Sequence, residues 1–264
     1  MFRKLLALLK NQFTTAANLL CPPFCVFCEE MLDGAGDGIF LCGNCQKKFT
    51  MPAQRFCVRC GSSITPPPME PVLPYCVKCQ TLDFAFSRVI VLGEYGFELR
   101  EAILKMKTDK PGHLAVNMAK LFIRERREQI LQADADLVVP VPMHFLRRFQ
   151  RGVNSPVLFA QELAEVFRIP PGVSCVTRNR YTKPQFRLNA DQRRRNVRGA
   201  FTCRYRPDKI RGKKILLVDD IITTRSTCHE IATVLRAAGA KSVTVAVLAS
   251  AEGKTFLKKT VKNA

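Results

Sequence analysis

Two sets of residues have types and spacings that could do chemistry. The first is cysteine. Of twelve cysteines in 264 residues, eight form four Cys-x-x-Cys pairs, all before residue 80. Cys25 and Cys28 are followed by Cys42 and Cys45, and Cys57 and Cys60 by Cys76 and Cys79, so the pattern repeats with an offset of 32 to 34 residues. Each pair makes a tight knuckle whose sulfurs converge on one ion. Two knuckles complete a tetrahedral four-thiolate site, and two such sites predict two structural zinc ions. The second set lies in Lys214–Thr227, where an apolar run, Ile215 to Val218, meets Asp219 and Asp220 and then the hydroxyl-rich turn Thr223-Thr224-Arg225-Ser226-Thr227. A strand, a polar turn and a helix start in that order cradle a phosphate, because the first backbone N–H groups and the helix dipole favour an anion. Two carboxylates at the strand end suit a sugar diol or a divalent metal. A buried strand ending in an aspartate cap would explain one acid, not two followed by a run of hydroxyls.

The elements that must position these residues follow from the pattern of apolar residues. Cys228 to Ala238 has helical spacing and stops at Gly239. Ser87–Leu92, Asp136–Val141, Val173–Val176, Ala200–Thr202 and Val243–Ala249 read as strands, and Phe97–Met106, Leu114–Ile130 and Pro156–Phe167 as helices. Thr177 to Arg198 reads as one long polar loop carrying eight basic residues, of the length that forms lids or binding elements. Strands alternating with helices predict an α/β domain with a mostly parallel sheet, its site at the carboxyl ends of the strands. The cysteine segment, about residues 21–82, is filled with turn formers such as Asp33 to Gly38 and Pro66 to Pro68, so metal would supply its folding energy. Gly43 and Gly61, next to ligand cysteines, are expected at positive φ. Residues 1–20 read as a short amphipathic helix packed on the body, leaving 83–264 for the α/β domain.

Composition narrows the partners. Forty-two basic residues against 22 acidic give a formal net charge of +20, which favours polyanions such as nucleic acid or phosphorylated metabolites. The apolar run Leu5 to Leu9 is too short for a signal peptide and nothing is long enough to span a membrane. A reducing, cytoplasmic compartment is expected, in which paired cysteines hold metal rather than form disulfides. Cys21, Cys175, Cys203 and Cys228 fall outside the pairs and read as small buried hydrophobes.

The segment Val218 to Thr227 resembles the phosphoribosyl-pyrophosphate signature of type I phosphoribosyltransferases. Val139-Pro140-Val141-Pro142-Met143-His144, Arg151-Gly152-Val153-Asn154, Lys183-Pro184-Gln185 and Arg195 to Phe201 are similar, in order and spacing, to the ComF family. The resemblance covers nearly the whole chain. It implies a type I phosphoribosyltransferase-like domain behind a double zinc ribbon, and a role in DNA uptake or utilisation during competence. Asp219 and Asp220 would hold the ribose hydroxyls, directly or through Mg²⁺, and Thr223, Thr224, Ser226 and Thr227 would bind the 5′-phosphate. The loop from His144 through Arg151 to Asn154 would sit near the pyrophosphate, Lys107 matches a lysine of the family, and Thr177 to Arg198 matches a loop that covers the site. The implied reaction is displacement of pyrophosphate at the anomeric carbon by a nitrogen nucleophile. Implied partners are phosphoribosyl pyrophosphate or a nucleotide, single-stranded DNA and a helicase-like protein. The other reading is a non-catalytic nucleic-acid-binding zinc-ribbon protein on the same scaffold. Two positions depart from the pattern. Val153-Asn154-Ser155 replaces Phe-Asn-Gln, and Arg225 stands where the phosphate turn has a small residue. At positive φ, Arg225 would cost about 1 kcal/mol or more; with a relaxed backbone it would instead offer its charge to the phosphate.

Overall fold

The computed structural model describes residues 22–32, 37–64, 76, 79, 82–143, 154–180 and 190–251, with 190, 191, 193 and 194 as backbone alone. The expected helix over residues 1–20 and the sites at His144 and Arg151 lie outside them. The strands β1 (Arg88–Glu94), β2 (Leu137–Pro140), β5 (Lys214–Ile222) and β6 (Ser242–Ser250) form one fully parallel sheet in the order β1-β6-β5-β2. Their near-continuous Val, Ile and Leu runs are what a sheet covered on both faces requires. Alternation sorts them: Ile90, Val138, Leu216 and Ala246 enter one core, Val89, Val139, Leu217 and Val245 the other. The first core is closed by α2 (Phe97–Met106), α3 (His113–Glu125) and α5 (Ser155–Phe167). The second is closed by α7 (Ser226–Ala237) and by an antiparallel ribbon of β3 (Val176–Arg178) and β4 (Phe201–Cys203).

Three sequence expectations are corrected. Val173 to Cys175 form a turn, and the strand begins at Val176. The polar stretch 177–198 is not a single loop. Its described parts are the end of β3 and the helix α6 (Ala190–Val197), built from good helix formers such as Gln192 and Arg195 and anchored by the buried Val197. The helix expected over Leu114–Ile130 is two, α3 and α4 (Arg127–Ala133), interrupted at Arg126.

The interruption has a physical cause. Arg126 is only 4% exposed, and its guanidinium turns into the outer edge of β1. Nε donates to Val91 O at 2.7 Å and Nη2 to Leu92 O at 2.8 Å and to Met51 O. Burial lowers its pKa, and the neighbouring charge of Glu125 offsets this only in part. The same edge is covered further by the Met51 N–H donating to Leu92 O and by Val89 donating to Val58 O, so β1 presents no open ladder to a foreign strand. Replacing Arg126 with Met keeps the stem but strands buried carbonyls, while relieving a buried charge. The net loss is expected to be about 2 kcal/mol in urea unfolding; an unchanged midpoint would refute this role.

The cysteine segment is folded onto this edge. Cys25, Cys42, Cys45 and Phe49 belong to the same core cluster as Ile90, Leu92, Leu99 and Phe122. Helix α1 (Gly43–Phe49) ends against β1 so closely that a Cβ on Gly93 would lie 2.3 Å from Phe49 O.

Candidate metal centres and phosphate site

The cysteine repeat persists down to single hydrogen bonds. Cys25 N–H donates to Glu30 O and Cys57 N–H to Ser62 O, both at 2.8 Å. Glu29 N–H returns to Cys25 O as Gly61 N–H does to Cys57 O. Phe24 bridges Met31 as Phe56 bridges Ser63, again 32 residues on. The left-handed position after each knuckle is Glu29 (φ 65°) in the first and Gly61 (φ 71°) in the second. Gly43 does not have the expected positive φ. It opens α1, whose N-terminus is capped by Cys42 Sγ accepting from Cys45 N–H at 3.4 Å.

Cys25, Cys28, Cys42 and Cys45 form one set and Cys57, Cys60, Cys76 and Cys79 the other, with the sulfurs of each within 4.8 Å of one another. Measured contacts are 3.6 Å for Cys28–Cys42 and Cys60–Cys76, and 3.5 Å for Cys57–Cys79 and Cys76–Cys79. A disulfide needs about 2.05 Å, whereas thiolates at about 2.3 Å from a tetrahedral zinc lie about 3.8 Å apart. None of the eleven described cysteines is in a disulfide. Hydrogen bonding from Cys60 and then burial push Cys57 up to about 12, and for Cys79 burial, aided by Cys57 and Cys76 and opposed by Cys60, reaches the same value. In Cys25, burial opposes ionisation but hydrogen bonds from the Cys28, Cys42 and Phe27 backbone prevail and bring it to about 7. A crowd of this kind ionises together only around a cation, and each set can hold one zinc ion.

The second site sits where β5 runs out. The strand continues through both acids to Ile222, beyond the Val218 end read from the sequence. Strand alternation therefore sends the two carboxylates to opposite faces. Asp220, 7% exposed, accepts a 2.8 Å hydrogen bond from Ser155 Oγ at the start of α5. Asp219 lies on the α7 side and accepts from the Asp220 N–H at 2.9 Å. Burial, and next the charge of Asp220, raise Asp219 to about 7 against the pull of that N–H and of Lys107 and Arg178. Burial likewise drives the Cys228 thiol far above its ordinary range, with Asp219 adding to the shift, which suits a passive packing role.

The turn then passes through Arg225 at φ 65°, ψ −6°, a left-handed N-cap for α7. Ser226 Oγ donates to Thr224 Oγ1 at 3.0 Å. The next backbone N–H groups begin the helix, where they have no intrahelical acceptor and face any anion seated on the turn. The Arg225 side chain points at the second cysteine set: Nε donates to Cys60 O at 3.0 Å and Nη2 to Ser62 Oγ at 2.7 Å, while Nη1 returns to Thr223 O at 2.5 Å. Of the two alternatives left by the sequence, the backbone is therefore in its positive-φ form. A cleft of about 660 Å³ opens beside the turn, bounded by Cys60, Ser62, Phe84, Val197, Arg198 and His229.

Lys107, Asp219, Asp220 and Thr223 to Thr227 are thus in one region, with Lys107 close enough to act on the charge of Asp219. Of the basic stretch Thr177 to Arg198, Arg178 adds positive charge at Asp219 from β3. Sequence reasoning missed two contributors. Ser155 supports Asp220 although it stood out only as a departure from a motif, and Ser62 anchors Arg225 from 163 positions away, for which no local signal exists.

Residues 155–263 match the phosphoribosyl transferase domain. The chain is 28% identical over 230 residues to competence protein F of Haemophilus influenzae, covering 86% of this chain and 96% of that protein. It is 30% identical over 231 residues to DNA utilization protein YhgH of Salmonella typhimurium and of Escherichia coli K12, again over 86% of this chain and 96% of each relative. Among solved structures, glutamine phosphoribosylpyrophosphate amidotransferase from B. subtilis aligns with a TM-score of 0.32 and 25% identity over 51% of this chain and 26% of that one.

Proposed function

The chain belongs to the ComF family, with competence protein F and DNA utilization protein YhgH, and from that membership we propose that it binds phosphoribosyl pyrophosphate or a closely related phosphorylated ligand and serves the handling of DNA. The observation that carries this reading is the continuous path from β5 through Asp219 and Asp220 into the turn and the N-terminus of α7. The turn and helix start would take the 5′-phosphate, and the acids the ribose diol. The adjacent carboxylates are hard oxygen donors of the kind Mg²⁺ takes, and when bound that ion supplies neutralisation of the pyrophosphate charge. Lys107 and Arg178 both bring positive charge to Asp219. If transfer occurs, the bond from C1 to the pyrophosphate oxygen breaks and a C1–N bond forms, the leaving group carrying away the electron pair. His144 and Arg151, outside the described residues, remain proposed pyrophosphate contacts.

We also propose two structural zinc ions, in a module of residues 21–82 that forms the front of the domain of residues 83–264. The cytoplasmic placement read from the sequence is part of the same proposal; among the described residues no helix is long and apolar enough to cross a membrane.

The test is calorimetric titration of the zinc-loaded full chain with phosphoribosyl pyrophosphate and Mg²⁺. Saturable binding, weakened at least about tenfold in Asp220→Asn, is expected. Release of pyrophosphate in the same samples separates transfer from binding alone. The net charge of +20 favours a second reading, binding of single-stranded DNA without a phosphoribosyl ligand. No heat with the sugar phosphate, together with DNA affinity that falls steeply with salt, would select that reading instead.

A further inference from the structure

The Arg225 side chain joins the two candidate sites, and the direction of its hydrogen bonds carries meaning. Ser62 is 5% exposed, and its Oγ lies 3.2 Å from Cys60 Sγ. A metal-bound thiolate can only accept a hydrogen bond, so with Cys60 ionised the Ser62 hydroxyl must give its proton to the sulfur. Its lone pairs are then left for the Arg225 Nη2–H at 2.7 Å. Every donor points the same way, from Arg225 to Ser62 to Cys60, and Nε–H on the Cys60 carbonyl fixes the guanidinium from a second direction. This is the pattern of an outer shell that orients a metal ligand.

The knuckle is itself braced. A Cβ on Gly61 would lie 2.8 Å from Val89 Cγ1 and 3.0 Å from Val91 Cγ2, so the loop already rests on β1. A zinc ion held by Cys57 and Cys60 would fix the knuckle and with it the positions of Cys60 O and Ser62 Oγ. At the other end of the tether, Arg225 holds a left-handed backbone that a side chain disfavours, in the turn that presents the first N–H groups of α7. The residue at this position is not glycine, and its side chain is held by the distant Cys60 O and Ser62 Oγ and, within the turn, by Thr223 O.

We propose that the second four-cysteine centre and the phosphate turn are one thermodynamic unit, in which Arg225 is a positioning residue that makes retention of zinc at Cys57, Cys60, Cys76 and Cys79 and binding of a sugar phosphate at the turn mutually reinforcing. The linkage rests on the ligand reading given above, and it is reciprocal by necessity. The first centre, at Cys25, Cys28, Cys42 and Cys45, has no such contact with the turn among the described residues and serves as the reference within the same molecule.

The experiment follows zinc release from the full chain into a coloured chelator, with and without phosphoribosyl pyrophosphate and Mg²⁺, alongside calorimetry of the same samples. Release should be biphasic, and the ligand should slow one phase by about fivefold or more while leaving the other unchanged. Ser62→Ala, which spares every cysteine, should accelerate that same phase. Arg225→Gly accepts the positive φ without strain and loses the tether to Cys60 and Ser62 together with the bond to Thr223 O; in this variant, at a ligand concentration that the calorimetry shows to be saturating for it, the ligand should no longer affect zinc release. Equal slowing of both phases, slowing of neither, or an undiminished ligand effect in Arg225→Gly would overturn the linkage while leaving the ligand site in place. Absence of ligand heat in the wild type would instead remove the functional reading, and the linkage with it.

Discussion

Removing both zinc ions is expected to unfold the amino-terminal cysteine module and to lower the thermal midpoint of the whole chain by more than about 10 °C. A structural zinc site contributes on the order of 10 kcal/mol, as much as the entire stability of a typical domain. The effect should not stop at the metal module. Cys25, Cys42 and Cys45 are packed in the core that also holds Leu92, Leu99 and Phe122, and α1 depends on Cys42 Sγ for its cap. The Val58 carbonyl and the Met51 amide, which cover the edge of β1, belong to the same segment. Without metal that edge is exposed, so the apo chain should aggregate as well as unfold. Zinc analysis of the purified chain, followed by thermal unfolding with and without chelator and by light scattering, makes the measurement. A metal content much below two per chain, or a midpoint indifferent to chelation, would defeat this account of the cysteines.

Much of this arrangement was legible because its signals are local or periodic. The cysteine spacing identified both ligand sets, and the parallel sheet followed from apolar runs alternating with amphipathic segments. The path from strand through turn to helix was readable because apolar run, acids, hydroxyls and helical spacing are consecutive in the chain. What escaped depends on contacts between distant segments. Nothing around Leu114 to Ile130 marks a break, since Arg126 is an acceptable helix former and leaves the helix only for the carbonyls of β1. Helix α6 lacks an apolar stripe, so its polar residues resembled a loop, and its described packing comes from the single buried Val197. Gly43 and Gly61 look equivalent beside their cysteines. Yet Gly61 is pressed on Val89 and Val91, while Gly43 has open space around it and starts a helix. The destination of Arg225 was beyond any pattern, because Ser62 becomes its partner only after β1 and the second knuckle have been brought together.

Asp219→Asn should make the protein more stable and deprive it of its ligand. Burial and the neighbouring Asp220 hold the Asp219 carboxyl at about 7, against an ordinary value of 3.8. Between those values the folded chain keeps a proton that the unfolded chain has released. Folding stability therefore falls as pH rises from about 4 to about 7, and above that range the full penalty is present. After allowance for the partial exposure of the residue, that penalty is on the order of 2 kcal/mol. Asparagine removes it and can still accept the Asp220 N–H through its own Oδ1. The stability advantage of the variant should thus grow by about 1 kcal/mol between pH 6 and pH 8. Urea unfolding of zinc-loaded samples at those two values reads it directly. Affinity for phosphoribosyl pyrophosphate with Mg²⁺ should meanwhile fall at least about tenfold, because the charge that burdens the fold is the one the ligand site uses. A variant less stable than wild type at pH 8, or an advantage that does not change with pH, would mean that Asp219 is already ionised at no penalty. A more stable variant with undiminished affinity would place the ligand elsewhere. Only the joint outcome, stability gained and binding lost, marks a carboxylate kept against its surroundings for what it holds.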